Sequence, residues 1–226
     1  MLADTKLVGE LRQLQMATTS NHIKDSYRLA EANSYFNHGQ AGISDTLGAA
    51  LWSVDFMLTS ASYGANGVNF HGGGPRQDLK HPEGFTYTPI DEASSQVTGV
   101  RPSSTGCCWC RSRAAATCRR PRRRPALWTS AFTIAQADGS INVVLLNKDA
   151  TSGIQASVDV GAPVTSAATI YLQAGPLSAT SGFTFGGAGV SATGAWNRKP
   201  AYAVPSSGTT VTVAVPPASA ALVHVR

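Results

Sequence analysis

The chain has 226 residues, 42% of them hydrophobic, which is enough for one large or two small domains with a sizeable core. No stretch of roughly 20 apolar residues lacks a charge, so we expect no membrane-spanning helix and no membrane partner. The sequence shows no signal-peptide pattern either. The net charge of +5 is local, because seven of the 18 basic residues are arginines between positions 103 and 128, and the other 11 face 13 acidic residues. Basic character is therefore predicted for that window only.

The first hundred residues alternate between helical and strand-like patterns. Leucines at 7, 11 and 14 share one side of the first predicted helix, and Gly64 is a stop signal for the second. Helix and strand alternating in this order predict parallel strands. The predicted segments are a helix over 3–19, a buried strand over 27–32, a helix from the N-cap Ser44 to Tyr63, a strand over 67–71 and a long loop over 75–101.

The last hundred residues change to short strands separated by Gly and Pro. Residues 132–135 and 141–146 flank Asp138-Gly139, which is typical of a hairpin. This pattern predicts an antiparallel β-sandwich. Further strands are predicted over 157–160, 168–172, 209–215 and 221–225.

One carboxylate stands where the first predicted strand gives way to polar residues. Residues 27–30 are strand-like, Glu31 follows, and the run then gives way to polar residues and Gly39. A strand that delivers a single carboxylate to its carboxyl end is the arrangement that barrel glycosidases use to attack a sugar. Glu31 is therefore a candidate nucleophile, although a lone Glu is more often a surface carboxylate at a strand end.

Short blocks around and beyond Glu31 resemble glycoside hydrolase family 79, the β-glucuronidase and heparanase-like enzymes. The three strongest together are specific, whereas any one alone is weak. They are residues 28–34 (RLAEANS), 44–52 (SDTLGAALW) and 67–73 (GVNFHGG). Weaker similarities lie at 87–90, 99–102, 143–149 and 216–222. The order and spacing fit the last third to half of such an enzyme.

The resemblance implies the fold class α/β plus all-β. Residues 1–101 would be the C-terminal part of a (β/α)8 TIM barrel, 102–129 an aberrant segment, and 130–226 a β-sandwich domain. It also implies hydrolysis of β-linked glucuronides or related uronides with retention, Glu31 acting as the nucleophile, without a cofactor or metal. The family's acid/base Glu follows an Asn on an earlier strand, before the point where this chain begins. We therefore expect the chain alone to be inactive or nearly so, and its parent enzyme to be secreted.

Six further residues are candidates for contacts with the carbohydrate because they lie at the predicted strand ends or in the loops beside them. His71 would bond a sugar hydroxyl, or serve as a structural hydrogen-bonding residue. The glycines after it let backbone N–H groups approach a carboxylate or hydroxyl closely, although a flexible turn explains them as well. Tyr87 would reach over a uronate carboxylate. The full set is Asn33, Tyr35, His71, Gly72, Gly73 and Tyr87.

Residues 103–128 match neither that family nor the rest of the chain, since they hold all four cysteines and seven arginines without a Lys, Asp or Glu. A zinc-bound nucleic-acid patch is one interpretation, but Cys108 and Cys110 stand too close together and Cys118 lacks a near partner. The other interpretation is a shifted reading frame. Plausible codons for 104–110, read one base out of register, encode the apolar run Tyr-Gly-Met-Leu-Leu-Val. Because unpaired arginines resist burial, we expect this window to be exposed and irregular.

Two other classes of function stay open. The 130–226 part would suit a non-catalytic carbohydrate-binding or structural β-module, although it offers no row of aromatic residues as a platform. A basic nucleic-acid-binding protein fits less well, because no aromatic residues alternate with the arginines, and we expect no nucleic-acid partner. Salt-dependent binding would reveal one.

Overall fold

The computed structural model describes residues 6–72, 74–75, 85–111, 117–119 and 128–226. Its helices are α1 (Leu7–Ser20), α2 (Leu47–Ser62) and α3 (Pro102–Arg111). Its strands are β1 (Tyr27–Ala32), β2 (Ala65–Phe70), β3 (Gly74–Pro75), β4 (Ile90–Ala93), β5 (Gln96–Val100), β6 (Thr117–Arg119), β7 (Thr129–Ala135), β8 (Ile141–Asn147), β9 (Ile154–Asp159), β10 (Ala167–Gln173), β11 (Thr184–Phe185), β12 (Tyr202–Ala203), β13 (Ser206–Ser207), β14 (Thr210–Val215) and β15 (Ser219–Val225). Among the described residues no helix combines the length and apolar character needed to span a membrane.

The first part of the chain alternates α1, β1, α2 and β2, and its two strands pair in parallel, as predicted. The end of α2 is also confirmed: Gly64 follows it with a φ of +92°, which favours glycine. The predicted N-cap is wrong. Thr46 caps α2 and its hydroxyl accepts a hydrogen bond from the Ala49 N–H, whereas the Ser44 hydroxyl accepts one from the Gln40 N–H in the preceding turn.

The prediction of a buried strand is wrong for β1. Arg28, Ala30 and Glu31 are exposed, and the residues between them are only half-buried. The sheet formed by β1 and β2 has two strands among the described residues, and its inner face meets the helices, for example where the Tyr27 hydroxyl donates to the Tyr63 carbonyl and Phe70 meets the edge of Trp52. On the opposite face the strand residues are exposed in the part of the chain that the structure describes.

A hairpin replaces part of the predicted long loop. β4 and β5 pair antiparallel through a two-residue turn at Ser94 and Ser95, whose φ angles are +50° and +58°. Two positive φ angles define the tight turn whose twist matches a hairpin, and it is usually signalled by Asn-Gly. The sequence analysis did not predict this turn because two serines stand where a Gly-containing pair is usual.

The second part is built from antiparallel strands, as predicted. β7 and β8 form the predicted hairpin around Gly139, which has a φ of +81°. The larger sheet has the strand order β11–β10–β15–β8–β7–β6, with β12 also paired to β10. The smaller sheet has the order β13–β14–β9. Its long pair runs from Thr210 opposite Asp159 to Val215 opposite Ile154.

Alternate side chains of the larger sheet face two different cores, because side chains in a strand alternate between faces. On one face Val143 and Val223 pack against the valines of β14. On the other face Phe132 and Leu146 pack in one cluster with Leu51 of α2. The packing therefore runs across the predicted domain boundary at 102–129, because α2 belongs to the same core as the larger sheet.

The window 103–128 contains more regular structure than expected. Its first residues belong to α3, where Ser103 and Thr105 are buried, and α3 packs closely on α2. Gly106 permits this approach, since a Cβ there would overlap the Ser53 hydroxyl and lie 3.0 Å from the Ala50 carbonyl oxygen. The expectation of an exposed, irregular segment is therefore wrong for this stretch.

The remainder of the window is only partly described. β6 pairs antiparallel with β7 at the edge of the larger sheet, which again contradicts an irregular segment. Cys107 is half-buried. Residues 112–116 and 120–127, with five of the seven arginines, lie outside the described residues, as do the side chains of 108–111 and 117–119. The shifted reading frame stays a prediction.

Candidate functional site

Glu31 is turned onto the open face of the β1–β2 sheet by an irregularity in the strand. Leu29 pairs with Val68 and Ala32 pairs with Phe70, so β1 takes three steps where β2 takes two. The extra residue breaks the alternation, and Ala30 and Glu31 are both exposed. A bulge of this kind re-aims side chains and is frequent beside active sites. The carboxylate therefore lies on the same face as Arg28, at the carboxyl end of a parallel strand.

Arg28 spans the two strands on that open face. Its Nε donates to the Asn69 side-chain oxygen at 2.9 Å, and its guanidinium covers Gly67, where any Cβ would overlap it. Arg28 thus places a positive charge on the face that carries Glu31. The sequence analysis assigned no role to Arg28 or Asn69, because their contact depends on the register of two strands far apart in sequence.

Asn33 and His71 join the two strand ends. The Asn33 side-chain nitrogen donates to the His71 carbonyl at 3.2 Å, and its oxygen accepts from the Ser34 N–H at 3.0 Å. Asn33 therefore holds the segment after β1 against the segment after β2. His71 is exposed, and its ring forms a T-shaped pair with the Tyr87 ring at a centroid distance of 5.6 Å.

Tyr87 is a wall of this site and is almost fully buried, with 7% of its surface exposed. Burial raises the pKa of Tyr87, a hydrogen bond with the His38 backbone acts in the opposite direction, and the Glu31 carboxylate raises the pKa further. The last effect requires the carboxylate to lie within electrostatic reach of the phenol. Glu31, Asn33, His71 and Tyr87 are thus gathered at one edge of the sheet.

A close backbone approach holds Tyr87 in place. Gly39 has a φ of +93°, and a Cβ on it would lie 2.8 Å from the Tyr87 backbone nitrogen. The Thr86 N–H donates to the His38 carbonyl, and the His38 ring stacks on Phe85 at 4.1 Å. The loop after β1 is therefore fastened to the segment that carries Tyr87.

The other sequence candidates are less closely engaged. Tyr35 stacks on Phe36 with ring centroids 5.0 Å apart, and the two rings are 39% and 74% exposed. Gly72 is exposed, and a Cβ on it would lie 3.4 Å from the Pro89 ring. Gly73 lies outside the described residues. Tyr35 and Phe36 together form an exposed aromatic surface in the loop after Asn33.

Four of the described acidic residues are held by other groups or lie far from Glu31 along the chain. Asp45 accepts from the Gly42 N–H, Asp55 pairs with Lys148 and Asp91 pairs with Arg101. Asp25 precedes β1 and lies at the opposite end of the strand, about 20 Å from Glu31 at roughly 3.3 Å per residue. Glu83 lies outside the described residues. The described side chains also hold no group of three or more His, Cys, Asp or Glu placed to bind a metal.

Comparison with known proteins finds short sequence matches to β-glucuronidases. Over 43 residues, 19% of this chain, the sequence is 56% identical to a β-glucuronidase of Neurospora crassa. Over 47 residues, 21% of the chain, it is 47% identical to a β-glucuronidase of Aspergillus niger. The matched segments cover 8% and 9% of those relatives. No protein-family model matches the chain.

The fold is shared over nearly the whole chain with solved glycosidase structures. A 4-O-α-L-rhamnosyl-β-D-glucuronidase from Fusarium oxysporum 12S, in complex with Rha-GlcA, superposes with a TM-score of 0.71 at 17% sequence identity. The superposition covers 98% of this chain and 50% of that one, so the chain spans about half the length of that structure. The short matches and the shared fold together support a glycoside hydrolase-like chain.

Proposed function

We propose that this chain is part of a retaining β-glucuronidase-like glycoside hydrolase of family 79, acting on β-linked uronides, with Glu31 as its nucleophile. The β1–β2 unit would belong to a (β/α)8 barrel and the two stacked sheets to its β-sandwich. The observation that carries the proposal is the bulge in β1, which turns Glu31 onto the open face beside His71 and Tyr87. Barrel enzymes place their catalytic groups at this end of the strands.

The chemistry needs an ionised Glu31. Its carboxylate attacks the anomeric carbon and forms a glycosyl ester, while the bond from that carbon to the leaving oxygen breaks. A second carboxyl, about 5–5.5 Å away in retaining enzymes, protonates the leaving oxygen and then removes a proton from the water that hydrolyses the ester. None of the described acidic residues is assigned this role; we propose that the second carboxyl is missing from this polypeptide, which alone should therefore be inactive or nearly so.

The neighbouring residues would position the sugar. His71 is exposed at the site and would bond a hydroxyl, and Tyr87 would line the side that holds the uronate carboxylate. Arg28 would add a positive charge that suits a uronate over a neutral sugar. Asn33 would fix the two strand ends, Gly72 and Gly73 would offer backbone N–H groups, and Tyr35 would extend the binding surface.

Covalent labelling tests the nucleophile directly. A 2-fluoro-glucuronyl fluoride carries a leaving group that needs little protonation, so attack by Glu31 does not depend on a second carboxyl. We expect the pure chain to gain the mass of one fluorosugar on Glu31, and E31Q to gain none. E92Q, the same change on the hairpin strand β4, should label normally. Equal labelling of the wild type and E31Q would refute the assignment.

A hydrolysis assay tests whether the pure chain is inactive. The pure chain should release no more nitrophenol from a nitrophenyl β-glucuronide than the buffer does. Release that disappears in E31Q would show that the second carboxyl is present after all, and would leave the nucleophile assignment intact.

A further inference from the structure

A pocket lies on the larger sheet, away from the β1–β2 sheet. Its volume is about 310 Å³, within the range of small-ligand sites. Strands β10 and β15 form its floor, and the segment after β11 forms its wall. The lining residues are Ala168, Ile170, Leu222 and His224 on the floor, and Phe185, Trp196, Arg198 and Ala201 around it.

The wall of this pocket is fixed by the backbone. Trp196 stacks on Phe185 with ring centroids 4.7 Å apart and planes 2° from parallel, and its indole N–H donates to the Phe185 carbonyl at 2.8 Å. Gly186 has a φ of +58°, and a Cβ on it would lie 3.1 Å from the Arg198 Cβ. The Lys199 N–H donates to the Gly186 carbonyl at 2.8 Å. The segment that carries Trp196 and Arg198 is therefore held in place without a ligand.

The floor next to His224 contains a buried donor without a partner. A guanidinium only donates hydrogen bonds, so the Arg226 Nε contact at 3.2 Å makes His224 Nε2 an acceptor and leaves the proton on Nδ1. Nδ1 then donates to the Asn142 side-chain oxygen at 2.9 Å. This fixes the orientation of the Asn142 amide, and its fully buried nitrogen has no partner among the described residues. Asn142 does not line the pocket, so it acts on the site only by fixing the ring of His224, which does.

The charge of the pocket comes from Arg198. Arg226 lies near the carboxylate of Asp138, which offsets its charge. Arg198 is exposed and forms no ion pair with a described residue. An apolar floor, an indole and one guanidinium suit a small ring that is apolar on one side and carries a carboxylate.

We propose that this pocket is a non-catalytic binding site for one acidic monosaccharide unit, a pyranose that bears a carboxylate. The carboxylate would pair with Arg198, the C–H face of the ring would pack against Trp196, and an oxygen of the ring would approach the floor beside His224. This site is separate from Glu31 and would hold a uronide chain away from the reacting bond.

Titration of the full chain with D-glucuronate and D-glucose, followed by NMR saturation transfer and calorimetry, tests this site. We expect glucuronate to bind more tightly than glucose, and R198Q to weaken glucuronate about tenfold and to remove the preference for the acid. K199Q is the matched control, because Lys199 carries the same charge one position along and does not line the pocket. A201L adds a larger side chain from an exposed loop position and should abolish binding while the thermal unfolding midpoint stays unchanged.

The result with E31Q separates this pocket from the proposed catalytic site. Binding that survives in E31Q supports the pocket, even if the labelling of Glu31 fails. Loss of binding in E31Q, equal effects of R198Q and K199Q, or the absence of any glucuronate binding would each overturn the proposal.

Discussion

At Glu31 the strand β1 holds one residue more than the stretch of β2 beside it, and this decides which way the carboxylate faces. In a regular strand Glu31 would share a face with Leu29, which is half-buried toward the helices. The extra residue places Ala30 and Glu31 on the open side and returns Ala32 to the inner side. A carboxylate forced to the inner side would lose water without gaining a partner, so the bulge also spares the fold that penalty.

The electrostatic effect of Glu31 on Tyr87 predicts a change in the titration of the Tyr87 phenol. A phenolate is disfavoured near a carboxylate, so E31Q should lower the pKa of Tyr87, while burial keeps acting to raise it. Tyrosine labelled with 13C at Cζ reports this by NMR between about pH 8 and 12. Tyr27 and Tyr171, whose pKa values burial also raises, serve as internal references and should not move. A Tyr87 titration that is identical in wild type and E31Q would place the carboxylate elsewhere.

α2 connects the site to the rest of the protein because it is apolar on nearly all sides. Trp52 and Phe56 stack on each other at 5.1 Å and meet Phe70 of β2, whereas Leu51 and Val54 enter the core of the larger sheet. A helix that is apolar all round is a buried helix. β2, and with it His71, is thus supported by the element that also covers the second half of the chain.

The close contact between α2 and α3 predicts that a Gly-to-Ala substitution changes the stability of the protein in opposite directions at Gly106 and at Gly9. G106A should destabilise the protein by about 1–3 kcal/mol, because its Cβ would overlap the Ser53 hydroxyl between two packed helices. G9A is the control: Gly9 is exposed in α1 with no atom within 4 Å of the new Cβ, and alanine there should stabilise by up to about 1 kcal/mol. Urea unfolding followed by circular dichroism measures both. A harmless G106A would mean that α3 does not pack on α2.

The sequence predicts the elements whose periodicity is strong, and misses those that depend on register or on an unusual turn. β1, α2 and the β7–β8 hairpin follow from their patterns. The Ser94-Ser95 turn lacks the usual glycine, and α3 is hidden in a composition dominated by Cys and Arg. At the site, strand ends are predictable because parallel strands finish at one edge. The Arg28–Asn69 contact is not predictable from the sequence, because a shift of one residue in the pairing of β1 with β2 would abolish it.

At the scale of the whole molecule, the described residues around the larger sheet form three layers, with α2 on one face of that sheet and the smaller sheet on the other. An ion pair reinforces the first interface: Lys148, at the end of β8, lies 2.7 Å from Asp55 of α2, and its side chain is 5% exposed. Removing one partner of such a pair leaves a buried charge and typically costs about 3–5 kcal/mol. The layers are therefore coupled by packing and by charge.

This coupling predicts that α2 and the larger sheet unfold as one unit. L51A removes a fully buried side chain from their shared core and should cost about 2–5 kcal/mol. If unfolding is cooperative, the most protected amides of β8 and β15 should lose protection together with those of α2, by at least about thirtyfold. Hydrogen exchange followed by NMR gives the factors, with L14A as the control because Leu14 is 39% exposed on α1. Full protection in β8 and β15 alongside loss in α2 would instead divide the chain into two domains, at the boundary expected from the sequence.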